Sequence, residues 1–336
     1  MKSNVTMRDI AEKLSISSVT VSKALNDKEG VSDELKEKIK SVAEEMGYRF
    51  NTLAKSMKEG YSYNIGVIIP ERFTGTTQSF YLQFYQYISQ VLDSRQYSGI
   101  LHILSEEDET SVRLPRIYNE RKADGFIILG QINNDYAAAI YDMDVPVIFL
   151  DFYNDQNNID SVLTDNFYGV YEATNYLIKS GHRKIAFVGN IYATSSIQDR
   201  YLGYYKSLLE HRIRLEESYV ISDRDERGRF IDIDLPADLP TAFICNCDQV
   251  AYNLINLLKK KGINVPEDCS VMGFDNDIYA TLTEPQLTTV AVDMEEMSRV
   301  AVKFILEKVR DKDKKYGRTF IKGNIIYRES VRDLNN

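Results

Sequence analysis

The sequence predicts an all-α N-terminal unit followed by an α/β core of two doubly wound parallel-sheet subdomains. Three observations carry that reading. Through residue 49 the apolar residues recur at helical spacing, punctuated by capping residues. From Tyr61 onward, short β-branched runs alternate with helical stretches. The span 61–336 is long enough for two sheets rather than one.

The N-terminal elements follow in order. Thr6 stands as N-cap of a first helix, Met7 to Leu14, with Asp9 three residues on as an imperfect capping box. Ile10, Ala11 and Leu14 give that helix an apolar face. The triplet Ser15-Ile16-Ser17 breaks the pattern. Ser17 caps a second helix, SVTVSKALN, on which Val21, Ala24 and Leu25 share a face. Ser32 caps a third, DELKEKIKSVAEEM, with Leu35, Ile39, Val42, Ala43 and Met46 in one stripe and Gly47 as its C′ stop. The stretch FNTLAKSMKEG (50–60) is polar, with Leu53 and Met57 four residues apart. A helix this short is marginal alone in water. It reads either as a slack linker or as a helix that needs a partner.

The strands of the core read as NIGVIIP (64–70), GILHIL (99–104), GFIIL (125–129), VPVIFLD (145–151), KIAFVGN (184–190), YVIS (219–222), TAFICN (241–246) and CSVMGFDN (269–276). Unbroken apolar runs of this kind suit parallel strands buried on both faces. Ligands of open α/β sheets bind beyond the carboxyl ends of such strands, and a cleft between two subdomains is the natural site. One segment departs from the alternation. ERGRFIDIDLPADLP (226–240) holds an I-D-I-D repeat and two prolines, so an irregular or short extended connection is expected there.

Composition narrows the function. The net charge is −9, unevenly spread: residues 1–60 hold 11 lysines and arginines against 10 aspartates and glutamates, and the rest holds 30 against 40. Charge alone therefore does not announce nucleic acid. The three cysteines, Cys245, Cys247 and Cys269, have no metal-knuckle spacing and read as free thiols of a reducing compartment. The start MKSNVTMRDIAEKL lacks an apolar signal core and no 18-residue apolar run occurs, so neither export nor membrane insertion is expected; the chain reads as cytoplasmic. There is no Walker loop, no GxGxxG, no His/Cys metal cluster and no visible nucleophile–base pair, so no enzyme, cofactor or metal is expected. His182 reads as a locally bonded loop residue.

The pair of helices around Ser15-Ile16-Ser17 has the proportions of a helix-turn-helix, in which the start of the second helix meets base edges in the major groove. Any amphipathic two-helix hairpin shares that pattern. Residues 5–60, however, closely resemble the headpiece of the lactose-repressor (LacI/GalR) family of bacterial regulators. TMRDIA, SxxTVSKALN, GVSDE and AEEMGYRFN carry the likeness. GHRKIAFVG (181–189), RYLGY (200–204), VPEDCSVMGFDN (265–276) and PQLTTV (285–290) extend it through the core.

The resemblance implies a transcriptional repressor with a helix-turn-helix domain over 1–49, a hinge helix or linker over 50–60 and an effector-binding, dimerising core over 61–336. Ser18, Val19 and Lys23 fall where the family reads bases. Thr20, Ser22, Asn26 and Tyr48 fall where it holds phosphates, and the capping Thr6 and Ser17 join that DNA-facing set. In the hinge, Asn51 is the expected N-cap, Ala54 a further contact, and Met57 stands where the family wedges a leucine into the minor groove. Lysine at 23 forks onto guanine less rigidly than the arginine common there, which implies relaxed discrimination at that base. Ser15 stands where many members have glycine, which implies a turn tolerant of a side chain. The implied partners are a second copy of the chain and a near-palindromic duplex operator, because a two-fold protein reads two half-sites. The tail YRESVRDLNN has no heptad extension, so coiled-coil tetramers are not expected.

For the core the resemblance implies a periplasmic-binding-protein-like pair of subdomains, about 61–160 with 291–322 and about 161–290 with 323–336. Phe80, Tyr81, Thr194, Ser196, Arg200, Cys247, Asp248 and Asp275 are the implied effector contacts, and their chemistry suits a carbohydrate. Cys247 replaces a common asparagine, which puts one hydrogen bond in doubt. Structural readings stay open beside these: an Arg200–Asp275 ion pair, Phe80 and Tyr81 as helix-start core, and Asp248 as a helix N-terminal charge. A co-repressor mode, driven by a small molecule or a phosphoprotein partner, stays open beside induction. So does a sugar sensor without DNA activity.

Overall fold

The computed structural model describes residues 5–48, 56, 59–75, 80–155, 158–225 and 228–335. They fall into two units, Met1–Ser62 and Tyr63–Asn336.

In the first unit, α1 (Met7–Leu14), α2 (Ser18–Leu25) and α3 (Asp33–Glu45) bury Ile10, Ala11, Val21, Ala24, Ile39 and Ala43 against one another. Each helix starts on a side-chain cap. The Thr6 hydroxyl accepts from the Asp9 amide at 3.4 Å while the Asp9 carboxylate accepts from the Thr6 amide at 2.7 Å, a complete capping box rather than an imperfect one. The Ser17 hydroxyl accepts from the Thr20 amide at 3.0 Å, and Ser32 does the same for Leu35 at 3.4 Å. Helix α3 closes on Gly47 at φ +68°, with the Tyr48 amide bonded to the Ala43 carbonyl and the Gly47 amide to that of Glu44. Ser15 corrects an expectation. It is not in a conformation indifferent to side chains but in the left-handed region, φ 54° and ψ 42°, where a Cβ crowds the following carbonyl.

The second unit contains two six-stranded sheets among the described residues. The first runs β2 (Ser98–Leu104), β1 (Asn64–Pro70), β3 (Gly125–Leu129), β4 (Val147–Leu150), β5 (Ser161–Thr164), β11 (Arg318–Ile321), every pairing parallel. The second runs β7 (Val220–Ile221), β6 (Ile185–Val188), β8 (Ala242–Cys245), β9 (Ser270–Asp275), β10 (Thr288–Ala291), β12 (Asn324–Ile326), antiparallel only between β10 and β12. The chain crosses between sheets three times: after Thr164, between Ala291 and the helix Met294–Arg310 that packs on the first sheet, and across residues 322–323. The first crossing therefore lies after Thr164, not at residue 160, because Ser161 and Val162 pair with β4 before the chain leaves. Strands β5, β10, β11 and β12 escape the sequence reading. They are short, and threonine, serine or alternating exposure interrupts their apolar runs.

Helices cover both faces of the sheets. Asn166–Lys179 packs directly against Ser195–Glu210, where a side chain at Gly203 would collide with the Phe167 carbonyl. From residue 228 to 240 no helix or strand forms beyond a single bridge from Phe230 to Arg224, as the sequence suggested for this segment. Ile233, Leu235 and Leu239 nevertheless pack onto the second sheet's core.

Candidate functional site

The carboxyl ends of the strands of both sheets converge on one cavity of about 170 Å³. Phe73, Phe80, Tyr81, Gln131, Asp151 and Phe152 come from the first sheet's side. From the second come the 194–197 turn, Arg200, Arg224, Phe230, Asn246, Cys247, Gln249, Asp275, Asp277 and Tyr279. Irregular backbone at the strand ends aims two of these groups: Asp151 and Asp275 have positive φ, at 64° and 106°.

Arg200 is the hub. It is 6% exposed on the helix Ser195–Glu210. Its Nε donates to Asn166 Oδ1 at 2.7 Å, Nη1 donates to the Asn246 carbonyl, and Nη2 meets Asp275 Oδ1 at 3.4 Å. The guanidinium lies over the Phe274 ring at 3.8 Å. The ion pair with Asp275 is thus present, and both partners also line the cavity. Burial pushes the Asp275 carboxyl up to about 8, against the pull of Arg200 and with further repulsion from Asp277 and Asp151.

On the opposite wall the Tyr81 hydroxyl donates to Asp151 Oδ2 at 2.9 Å. Burial raises both groups, and the neighbouring carboxylate raises the phenol further. Phe73 and Phe80 meet Tyr81 edge-on at 5.0 and 5.2 Å. Phe80 and Tyr81 are therefore half-buried and packed, as a helix start requires, yet both face the cavity. Thr194 caps its helix by accepting from the Ile197 amide at 3.2 Å, and its hydroxyl lies 3.0 Å from that of Ser196. Cys247 lines the cavity as N-cap of the helix Asp248–Lys260, its thiol pushed up to about 12 by burial.

Asp248 is the exception among the expected contacts. It is fully buried and does not line the cavity. Its Oδ1 accepts from the Thr289 hydroxyl at 2.6 Å and its Oδ2 from the Asp277 amide at 2.9 Å. Gly273 makes the room, since a side chain there would strike the Asp248 carboxylate. Burial raises its carboxyl well above the ordinary range. Asp248 holds the Asp275–Asp277 turn from behind.

Several cavity residues went unread in the sequence. Asp151 and Asn246 follow directly on buried strands and Gln131 lies two residues beyond one, and the strand-end rule was signal enough to find them. Arg224 and Phe230 had no such signal, because they flank the irregular segment. Arg224 forks onto Asp223 at 2.8 and 2.9 Å and lies over Phe230 at 4.9 Å.

In the N-terminal unit, Thr6, Ser17, Ser18, Val19 and Lys23 are exposed or half-exposed, Val19 at 62%. Thr20, Ser22, Asn26 and Tyr48 are half-buried. Asn26 Nδ2 donates to the Ser22 carbonyl at 2.7 Å, and Tyr48 packs on the helical core. Asn51, Ala54 and Met57 lie outside the described residues.

Comparison with known proteins agrees with both halves. Residues 6–51 match the model of bacterial regulatory proteins, lacI family, and residues 174–331 match a periplasmic binding protein-like domain. The chain is 30% identical to the probable HTH-type transcriptional repressor ExuR of Bacillus subtilis, over 98% of this chain and 99% of that one. It is 26% identical to the ribose operon repressor of Haemophilus influenzae, with 98% and 99% covered. Among solved structures, the lac repressor dimer bound to operator and the anti-inducer ONPF superposes with a TM-score of 0.72 at 24% identity, covering 98% of this chain and 99% of that one. A complex of the transcriptional regulator CelR with cellobiose gives 0.68 at 21%, covering 97% and 100%. With a helix-turn-helix unit, a two-sheet core and a relative 30% identical along nearly its whole length, the chain belongs to the lacI family of bacterial regulatory proteins: it is a DNA-binding transcriptional repressor with an effector-binding core, not an enzyme.

Proposed function

We propose that this repressor binds a near-palindromic operator as a homodimer in the cytoplasm and that a carbohydrate in the core cavity tunes its operator affinity. The observation that carries the effector half is the cavity itself. Arg200, Asp151 and Asp275 offer charge-assisted hydrogen bonds to hydroxyl groups, beside the aromatic faces of Phe73, Phe80 and Tyr81. A ribose operon repressor and a cellobiose-bound regulator among the similar proteins support the same class. Among the described residues no helix is long and apolar enough to cross a membrane.

For the DNA half, α2 buries Val21 and Ala24 and leaves Ser18, Val19 and Lys23 open, which supports base contacts by those three. Thr6, Ser17, Thr20 and Ser22 supply hydroxyls for phosphates, which position the helix without specifying sequence. Asn51, Ala54 and Met57 are assigned to the hinge contact by their place in the family's pattern. Effector and operator affinities are then coupled reciprocally.

The test is operator binding with and without a panel of sugars. Fragments selected from genomic DNA should be bound with log K falling steeply as log salt rises. One sugar should both raise the melting temperature of the core and change operator affinity. A sugar that stabilises the protein without changing operator affinity would separate sensing from regulation and defeat the proposal.

A further inference from the structure

The cavity's charges do not balance. Two guanidiniums, Arg200 and Arg224, stand against four carboxylates: Asp151, Asp275 and Asp277 on the lining and Asp223 behind Arg224. No lysine lines the cavity among the described residues. Each guanidinium already has its own carboxylate, Asp275 for Arg200 and Asp223 for Arg224. Asp151 and Asp277 have no ion-pair partner among the described residues. Asp151 accepts from the Tyr81 hydroxyl at 2.9 Å, and Asp277 from the Tyr279 amide at 2.8 Å.

We infer that this cavity selects an uncharged, hydroxyl-rich ligand and turns away the phosphorylated and carboxylated forms of the same skeleton. The inference rests on the carbohydrate reading above and narrows it. With the lining carboxyls ionised, a phosphate or carboxylate entering here meets carboxylates with no cation left over. A single like-charge approach at about 6 Å, in an effective dielectric of about 20, weakens binding on the order of a hundredfold. The selection belongs to the ionised cavity. Burial raises Asp275, Asp151 and Asp277 alike, Asp275 to about 8, so the discrimination against anions should fade as pH falls below that value. Hydroxyl groups find what they need: carboxylate oxygens to accept their hydrogen bonds, and Gln131 and Gln249 amides with Thr194 and Ser196 hydroxyls to complete the polar contacts.

The experiment is calorimetric titration of the full-length protein at pH 9, above the Asp275 value of about 8, with matched sets: glucose, galactose and ribose, each beside its phosphate and, for the hexoses, its uronate. For the skeleton that binds, the neutral member should bind at least about tenfold more tightly than either anion. An anion that binds as tightly as its neutral parent overturns the inference and leaves the carbohydrate reading standing. Binding by no member of any set overturns the carbohydrate reading and this inference with it. Asp277→Asn keeps the acceptor for the Tyr279 amide and removes one charge. It should narrow the gap between neutral and anionic members severalfold, and an unchanged gap would also overturn the inference.

Discussion

Replacing Asp275 by asparagine should change the way stability depends on pH. The carboxyl titrates near 8 in the folded cleft against an ordinary 3.8, chiefly because burial penalises its charge. Between those values the folded protein holds a proton that the unfolded chain has released. Stability contributed at this site therefore falls as pH rises from about 4 to about 8, and levels off above. Each unit of separation is worth about 1.4 kcal/mol, so crossing from pH 5 to pH 8 costs the parent about 4 kcal/mol that the asparagine variant does not lose. The amide of the Asp275→Asn variant keeps an oxygen for Arg200 Nη2, so the hub stays hydrogen-bonded. Asp151 and Asp248 titrate in parent and variant alike, so only their repulsion by Asp275 enters the difference. For the second unit, an unfolding entropy of roughly 0.6 kcal/mol/K converts the effect to about 7 °C. Scanning calorimetry at pH 5, 6, 7 and 8 would measure it. Asp275→Asn should gain on the parent by about that much across the range, and parallel melting profiles would refute the assigned cause. A ligand whose hydroxyls donate to the ionised carboxylate should flatten the parent's slope, because it favours the charged form.

Three further substitutions test the local arguments. Gly203→Ala places a methyl against the Phe167 carbonyl and should push two helices apart, lowering core stability by about 1–3 kcal/mol in a urea titration. Ser15→Gly relieves a left-handed serine, worth about 1–2 kcal/mol, against a glycine entropy cost of about 0.5–1 kcal/mol. Hydrogen exchange at the Ile10 and Val21 amides of the full-length chain should slow up to about tenfold, and faster exchange would contradict the strain. Met57→Ala should weaken operator binding in gel-shift titrations while sugar binding stays as it is, since a flexible apolar wedge contributes to kinking DNA and not to the cavity; equal operator affinity would make residues 50–60 a slack linker.

The sequence by itself determined the elements whose signals are local. Thr6, Ser17 and Ser32 announce helix starts because each side chain caps its own next turn. Runs such as GFIIL and TAFIC announce strands because burial on both faces leaves no polar alternation. Local motifs in a fixed order sufficed for the family. What only the tertiary structure decided depends on neighbours distant along the chain. Asp248 belongs behind the cavity rather than on its lining, because Thr289, the Asp277 amide and the side-chain-free Gly273 build a socket that no local pattern shows. Ser161–Thr164 and Thr288–Ala291 are strands because buried partners pair with them, not because their composition demands it. Arg224 and Phe230 reach the cavity from a segment without periodicity, held by Asp223 and by one bridge. The excess of carboxylates over guanidiniums exists only once strand ends from two sheets meet. Charge balance in a cleft is a property of proximity in space, and the order of residues along a chain does not contain it.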